Sequence, residues 1–268
     1  MSTITLRSLI GIPLVKKGDN VAGLIVNSIL QDCIILEDGD LIVIAQKIIS
    51  KAEGATINLS GVTVSTRAQS LAEQTGRDAR LCQLYLDEAS EVIAVKGRMV
   101  ITRHKLGYVG SSSGIDRSNI APHVEEIMVL LPKNPDASAN KVRNDIKLLT
   151  GKTVGVIIND SCGRDYRDGS VGMAIGIAGI KALRIDKKVD LFNNPSLSSI
   201  AVVDEVAAAA SLLMGQANEG IPAVVVKGVT YTASENATFG RKSQATQYQN
   251  SSRSARISKL WLLEPRII

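Results

Sequence analysis

Residues 154–164 read Val-Gly-Val-Ile-Ile-Asn-Asp-Ser-Cys-Gly-Arg, an apolar run that turns polar at Asn159. A short β-branched run bounded by polar residues is typical of a buried strand. The pattern predicts a strand over 152–159 that presents Asp160 and Ser161 at its exposed end. A carboxylate beside a hydroxyl can supply part of a magnesium ligand set, and an ordinary Asp-Ser turn explains the same residues equally well.

Strands and helices are mixed along the rest of the chain without strict alternation. Apolar periodicity and capping residues mark four helices, at Thr66–Thr75, Ala79–Ala89, Ser138–Leu149 and Ser199–Asn218. Further strands are predicted at Leu41–Ala45, Glu91–Val95, Met99–Thr102 and Ile221–Lys227. Between them lie a polar stretch, Gln46–Gly54, and a polar tail that begins at Thr232. This order favours an α+β fold over a doubly wound parallel sheet.

The composition excludes several classes of protein. The 268 residues are 45% hydrophobic and 21% charged, as in a globular chain, and only 3% aromatic, so few side chains could stack on nucleic-acid bases. The net charge of +5 comes from scattered residues; it leaves a nucleic-acid-binding protein as the alternative class, although no basic patch supports it. The longest apolar stretch, Ser198–Met214, contains Asp204 and Glu205, so no membrane span is expected.

The numbers of cysteines and histidines indicate the cellular compartment and the kind of metal site to expect. The three cysteines are far apart without zinc spacing, and Met1–Arg7 lacks the apolar region of a signal peptide, so a cytoplasmic protein is expected. With only two histidines, a metal site would rely on carboxylates, which favours Mg²⁺ or Mn²⁺.

Other short motifs carry groups that suit anionic ligands, each with a plainer explanation. In Gly114–Asn119, Asp116 could be a second carboxylate ligand or a turn cap, and Asn119 could bind a base or ribose. Lys51 could neutralise a phosphate or be solvated. Arg164 would suit phosphate or carboxylate recognition beside a metal, or be a solvated arginine.

The turn after the last predicted helix, Met214–Pro222, is a further candidate. Gln216 or Glu219 could face inward to a ligand. Gly220 equally fits the ordinary end of a helix.

Taken together and in order, six segments resemble the coenzyme F420-0:γ-glutamyl ligase family. They are GIPLVKKGD (11–19), AQKIISKAEG (45–54), GIDRSN (114–119), LPKNPDASA (131–139), INDSCGRDYRDGSVGMAIGIAG (158–179) and MGQANEGIP (214–222). The resemblance implies an unusual two-lobed α+β fold with a largely β core that forms an intertwined homodimer. It places a ligase-like domain at 1–231 and a polar C-terminal segment, packing back on that domain, at 232–268.

The resemblance also implies an activity. Such enzymes use GTP and divalent metal ions, Mg²⁺ or Mn²⁺ at two sites and in some cases K⁺, to join L-glutamate to the carboxylate of F420-0 through an acyl phosphate. Further γ-linked glutamates can follow. The metal ligands would be Asp116 and Asp160 at one site and Ser161 and Gln216 at the other, with Arg164 joining the two aspartates in catalysis. The residues expected to contact GTP are Gly11, Ile12, Pro13, Leu14, Gln46, Lys47, Lys51, Asn119, Met214, Gly215, Gln216, Ala217, Asn218, Glu219, Gly220 and Ile221.

Two segments depart from the family pattern. Members tend to have Cys-Ala-Asn-Ala before Gly-Ile-Asp, where this chain has Gly-Ser-Ser-Ser at 110–113. Members usually carry Thr-Phe-Gly-Arg-Pro-Trp after the metal-binding aspartate, where this chain has Ser-Cys-Gly-Arg-Asp-Tyr at 161–166. The alternatives are therefore a ligase of the same mechanism with a different carboxylate or amine, with Cys162, Asp165 and Tyr166 reshaping the acceptor side, and a non-catalytic nucleotide-binding relative.

Overall fold

The computed structural model of the chain describes residues 3–119, 126–164 and 167–239. Within them the α-helices are α1 (Val21–Gln31), α2 (Gln46–Glu53), α3 (Thr66–Thr75), α4 (Ala79–Glu88), α5 (Pro135–Thr150) and α6 (Val202–Met214). The strands are β1 (Thr5–Leu9), β2 (Leu41–Ala45), β3 (Thr56–Asn58), β4 (Ala89–Lys96), β5 (Met99–His104), β6 (Val109–Ser111), β7 (Ile127–Val129), β8 (Gly155–Arg164), β9 (Arg167–Ile180), β10 (Arg184–Val189), β11 (Pro195–Ile200), β12 (Ala223–Lys227) and β13 (Ala233–Ser234).

Six strands form the central sheet, in the order β1-β12-β2-β8-β9-β13. Its neighbouring strands are antiparallel except for β2 and β8, which run parallel with Ala45 opposite Asn159. Parallel neighbours end at the same edge of a sheet. The start of α2 and the polar residues 159–161 of β8 therefore lie side by side.

Apolar side chains on both faces of the central strands build the core. On β2, Ile42 and Ile44 pack into a cluster with α1, α2 and α5, whereas Leu41 and Val43 pack into a second cluster with α6. All four are fully buried, and each such side chain contributes about 1.5–3 kcal/mol by leaving water. Burial on both faces explains why these strands are continuous apolar runs rather than alternating ones.

A third hydrophobic cluster lies outside the central sheet. It joins α3 and α4 to Val100 of β5 and Met128 of β7, with Tyr85 among its buried side chains. Strands β4, β5 and β6 form an antiparallel sheet beside it.

Ion pairs tie together the sheet end where β2 begins. Lys227 Nζ lies 2.6 Å from Glu37 Oε2 and 2.9 Å from Asp40 Oδ2. The buried guanidinium of Arg143 donates two hydrogen bonds of 2.7 Å to Glu235, which follows β13. Each charge buried here has a partner.

The mixed α+β class is confirmed, as are the strand Leu41–Ala45 and the helix Thr66–Thr75, which ends at Gly76 in a left-handed conformation. The helix predicted from Ala79 ends one residue earlier than expected, at Glu88.

Several predicted boundaries are wrong. Helix α5 spans Pro135–Thr150 rather than Ser138–Leu149, α6 ends at Met214 rather than at Asn218, β8 begins at Gly155 rather than at 152, and β12 begins at Ala223 rather than at Ile221. Two further boundaries depend on strand pairing. The strand predicted to stop at Asn159 continues to Arg164, because β9 keeps pairing with it beyond Asp160, which lies within the strand and not at its end. The helix predicted to begin at Ser199 begins at Val202, since Pro195–Ile200 pairs with β10 as a strand.

Other differences concern elements that the pattern did not predict. Helix α1 was not predicted, and the stretch predicted only as polar, 46–54, contains α2. The tail predicted from Thr232 as a loop includes β13, and 240–268 lies outside the described residues. In the part of the chain that the structure describes, no helix is both long and apolar enough to cross a bilayer.

Candidate functional site

A cavity of about 970 Å³ opens at the edge where β2 gives way to α2. Five segments line it, drawn from 12–15, 45–51, 111–119, 159–161 and 211–222. Every predicted site residue except Gly11 and Arg164 is among its lining residues. Gly11 precedes the lining residue Ile12 and has a φ of 73°, which turns the chain after β1; the side chain of Arg164 lies outside what the structure describes.

Helix α2 presents two lysines to the cavity. Ile48 and Ile49 bury one face of the helix in the core, so Lys47 and Lys51, four residues apart, share the opposite face. Lys51 Nζ donates to the backbone oxygen of Asn119 at 2.6 Å. Burial and the nearby Lys47 ammonium lower the pKa of Lys51. These two cations provide positive charge for an anionic ligand.

Asp116 is held in place by the lysine and by its own turn. Lys47 Nζ lies 2.7 Å from Asp116 Oδ2, and the other carboxylate oxygen accepts hydrogen bonds from the backbone N–H (2.7 Å) and hydroxyl (2.9 Å) of Ser118. Burial raises the pKa of this carboxyl, but the hydrogen bonds from Lys47 and Ser118 outweigh burial, and the pKa lies below its ordinary value. Asp116 is therefore ionised.

Asp160 lies on β8 beside that carboxylate, and its electrostatic situation is the opposite. Burial, with a further contribution from Asp116, raises the pKa of Asp160 to about 7, although the backbone N–H of Ser161 donates to it at 2.9 Å. A second negative charge is thus costly next to Asp116. A divalent cation would relieve this cost.

Ser161 connects β8 to the turn after α6. Its hydroxyl donates to Gln216 Oε1 at 2.9 Å. The turn is closed by Glu219, which accepts the Ala217 N–H at 2.8 Å, and by Asn119 Nδ2, which donates to the Ala217 oxygen at 2.6 Å. Backbone N–H groups of the turn lower the pKa of Glu219. These bonds fix the Gln216 side chain beside Ser161.

The donor set fits a hard divalent cation. Two carboxylates (Asp116, Asp160), one hydroxyl (Ser161) and one amide oxygen (Gln216) meet at the cavity, and Mg²⁺ and Mn²⁺ prefer such oxygen ligands and retain water molecules as well. In the described ranges no three His, Cys, Asp or Glu side chains gather into a metal-binding group. A metal bound here would therefore depend on the neutral oxygens, on water and on substrate oxygens.

The sequence pattern missed several polar residues of the cavity, which are Ser111, Ser112, Asn159 and Ser211. Asn159 is only 6% exposed; its Nδ2 donates to Ser211 Oγ at 3.0 Å, and its Oδ1 is buried without a partner among the described residues. Strand alternation could have found Asn159, since it shares the α6 face of β8 with Ser161. Gly172 of β9 permits this close approach, because a Cβ there would lie 2.0 Å from Ser211 Oγ.

Comparison with known proteins assigns the chain to a family. A family model described as F420-0:Gamma-glutamyl ligase matches residues 9–228. A coenzyme F420:L-glutamate ligase of Methanocaldococcus jannaschii is 47% identical over 195 residues, covering 72% of this chain and 77% of that protein. Proteins of the same name from Methanothermobacter thermautotrophicus (41% over 227 residues; 84% and 89% covered) and Archaeoglobus fulgidus (43% over 222 residues; 82% and 85% covered) are also similar. The chain belongs to the F420-0:γ-glutamyl ligase family.

Proposed function

We propose that the protein is a ligase that joins L-glutamate to the carboxylate of F420-0 with GTP as phosphoryl donor, and that it can add further γ-linked glutamates. The observation that carries this proposal is the meeting of two lysines, two carboxylates, Ser161 and Gln216 in one cavity. Family membership supports F420-0 and glutamate as the substrates.

The proposed chemistry has two steps. A carboxylate oxygen of the acceptor attacks the γ-phosphorus of GTP, the bond to the bridging oxygen breaks, and an acyl phosphate and GDP form. The glutamate amine then attacks the acyl carbon, inorganic phosphate leaves, and the nitrogen loses a proton as the amide forms. Neither step needs a nucleophilic side chain, so positioning and charge neutralisation are what the protein provides.

The residues have distinct parts in this scheme. Lys47 and Lys51 neutralise phosphate oxygens, while segments 11–14 and 214–221 hold the nucleotide, with Asn119 and Gln46 beside them. Asp116 and Asp160 would hold one divalent ion, and Ser161 and Gln216 a second. Such ions neutralise the charge that develops on phosphate oxygens during transfer.

We also propose a two-lobed homodimer located in the cytoplasm. The hairpin of β10 and β11 supports self-association, because its apolar side chains Leu191, Phe192 and Leu197 are 98%, 84% and 70% exposed. The ligase domain would span 1–231, with 232–268 packed against it. In the described part of that segment, Glu235 pairs with Arg143, and the Phe239 N–H donates to Asp136.

The decisive experiment is ligation with purified protein. GTP, Mn²⁺, L-glutamate and F420-0 are supplied with and without K⁺, and the product is examined by mass spectrometry for the gain of one glutamyl residue. Omission of GTP and replacement by ATP are the controls. GDP release with another acid, but no product from F420-0, would instead identify a ligase with a different acceptor, and failure to bind GTP would identify a non-catalytic relative.

A further inference from the structure

The turn that precedes Asp116 has an unusual backbone. Ser112, Ser113 and Gly114 are three consecutive residues with left-handed φ values, of 58°, 50° and 65°. Residues other than glycine adopt this conformation at an energetic cost, and such residues concentrate at functional sites when their surroundings hold them there.

Buried contacts on three sides hold the turn. Ser113 is 2% exposed, and its hydroxyl donates to the backbone oxygen of Tyr85 at 2.8 Å and lies 2.9 Å from Thr102 Oγ1. A Cβ on Gly114 would lie 2.7 Å from Leu131 Cδ1, so the next residue has no room for a side chain. The side chain of Ser113 is thus an internal anchor and cannot contact a ligand in the cavity.

The two residues before the anchor do face the cavity. Ser111 and Ser112 both line it, Ser112 being half-buried. Strand β6, which leads into the turn, lies against β8, with the Val109 oxygen 3.9 Å from Cys162 Sγ. The turn therefore borders the part of β8 that carries Asp160 and Ser161.

Strand order separates this turn from three of the segments expected to hold the nucleotide, while Asn119, five residues after Gly114, reaches across to Ala217. Segment 12–15 follows β1, 214–222 precedes β12 and Gln46 follows β2, and these three strands lie on one side of β8 in the sheet. Strand β6, which leads into the turn, lies against the stretch of β8 beyond Asp160. Phosphoryl transfer needs the attacking oxygen and the leaving oxygen on opposite sides of the phosphorus. An acceptor would therefore approach from the turn.

We infer, resting on the proposed function, that the turn Ser111–Gly114 is the acceptor side of the active site, with the Ser112 hydroxyl donating to the acidic end of the acceptor and Ser113 serving as the positioning residue. The ligand class is a carboxylate carried next to a phosphodiester. The anchor also extends to Asp116, since the Ile115 N–H donates to the Ser112 oxygen and Asp116 exchanges two 2.9 Å backbone hydrogen bonds with Val129.

The test measures binding apart from turnover. Equilibrium dialysis gives the Kd of F420-0 in the presence of Mn²⁺ and a non-hydrolysable GTP analogue, and the Kd of the analogue itself. Ser112→Ala and Ser112→Gly both remove the hydroxyl, but only glycine fits the left-handed backbone without strain. Ser113→Ala removes the anchor, and Ser60→Ala, on an exposed turn away from the cavity, is the matched control.

Both Ser112 variants should raise the Kd of F420-0 about tenfold, as the loss of one hydrogen bond to a charged group predicts. Ser113→Ala should also raise this Kd, because the turn that positions the Ser112 hydroxyl loses its anchor. In all three variants the Kd of the analogue should stay within twofold of wild type. Unchanged F420-0 binding in both Ser112 variants would overturn the inference. So would weakening by Ser112→Ala alone, which would indicate backbone strain, or equal loss of analogue binding, which would indicate a structural role.

The wild-type protein separates this inference from the proposed function. If the wild-type protein binds F420-0 but does not ligate glutamate to it, the proposed ligase activity is wrong, and the Kd values of the Ser112 and Ser113 variants still decide whether the turn is the acceptor side. Ligation with unaffected variants would leave the function standing and overturn the inference. Absence of F420-0 binding would overturn both.

Discussion

The two ends of the central sheet differ in whether their buried carboxylates are paired with a cation. At the end where β2 begins, the buried Asp40 has Lys227 at 2.9 Å, and hydrogen bonds with Glu37 and Asp40 raise the pKa of Lys227 against the effect of burial. At the other end, Lys47 pairs with Asp116. Among the described residues no lysine or arginine forms an ion pair with Asp160, whose pKa is raised to about 7. At the first end each buried charge is paired within the protein, whereas at the second end Asp160 has no paired cation among the described residues, and a bound metal ion would supply one.

The largest expected effect on activity comes from a substitution of Asp160, at the cavity end of the sheet. Asp160→Asn should lower metal-dependent ligation by about a thousandfold or more, because a ligand to the metal is lost. The free energy of unfolding should stay the same or rise, because a carboxylate whose ionised form is disfavoured by burial and by Asp116 is removed. Product formation and urea unfolding measure the two effects. Full activity of this variant would contradict the assignment of Asp160 as a metal ligand.

At the end of the sheet where β2 begins, loss of a charge should lower stability and leave ligation unchanged. Lys227→Met leaves Asp40 buried without its cation and should lower the free energy of unfolding by about 3 kcal/mol, with ligation per folded molecule unchanged. Urea unfolding measures the loss, and Lys187→Met, at an exposed lysine of β10, is the control. A stable but inactive Lys227→Met protein would contradict the division between the two ends.

Adding the missing charge should stabilise the protein. Mn²⁺ at a hundred times its dissociation constant stabilises the folded state by about 2.7 kcal/mol, which corresponds to a rise in melting temperature of about 5–10 °C for a chain of this size. Thermal melts with Mn²⁺ and with an equal concentration of K⁺ make the comparison. The rise should vanish in Asp160→Asn; an equal rise in that variant would place the ion elsewhere.

The smallest effect concerns the ion pair between Arg143 and the exposed Glu235. Hydrogen bonds from Arg143 lower the pKa of Glu235, so the stabilisation is present above the ordinary glutamate pKa of 4.5 and is lost as the pH falls through the lowered value. Glu235→Gln should melt slightly below wild type at pH 7, and the difference should shrink as the pH falls into the acid range. A difference independent of pH would mean that packing, not charge, holds this segment.

The sequence predicted the parts of the fold that depend on local pattern. Leu41–Ala45 is a continuous apolar run, and Gly76 ends α3, so both could be read without tertiary information. Helix α2 was not predicted, because it is only eight residues long and its exposed face carries lysines. The true end of β8 depended on its pairing with β9, which no local signal specifies.

The residues that line the cavity could be predicted one by one only through the family resemblance. Spacing alone gave Asp160 and Asp116 as candidates with plainer alternatives. Segments 12–15 and 214–222 meet because β1 pairs with β12, Leu9 opposite Ala223, across most of the chain. Pairing at that distance leaves no periodic trace in the sequence. Asn159 differs in this respect, because the alternation of β8 places it on the same face as Ser161.

The same long-range pairing has a consequence for the order of folding. Strand β12 lies between β1 and β2 in the sheet, although it is the last strand of more than two residues along the described chain. Until Ala223–Lys227 is available, β1 has no neighbour and β2 has one open edge. Contacts of such sequence separation form slowly because a large loop must close first. The binding cavity is therefore expected to assemble only after nearly all of the chain has been synthesised. A nascent chain ending before residue 223 would leave β1 unpaired and the open edge of the apolar strand β2 accessible to chaperones or to aggregation.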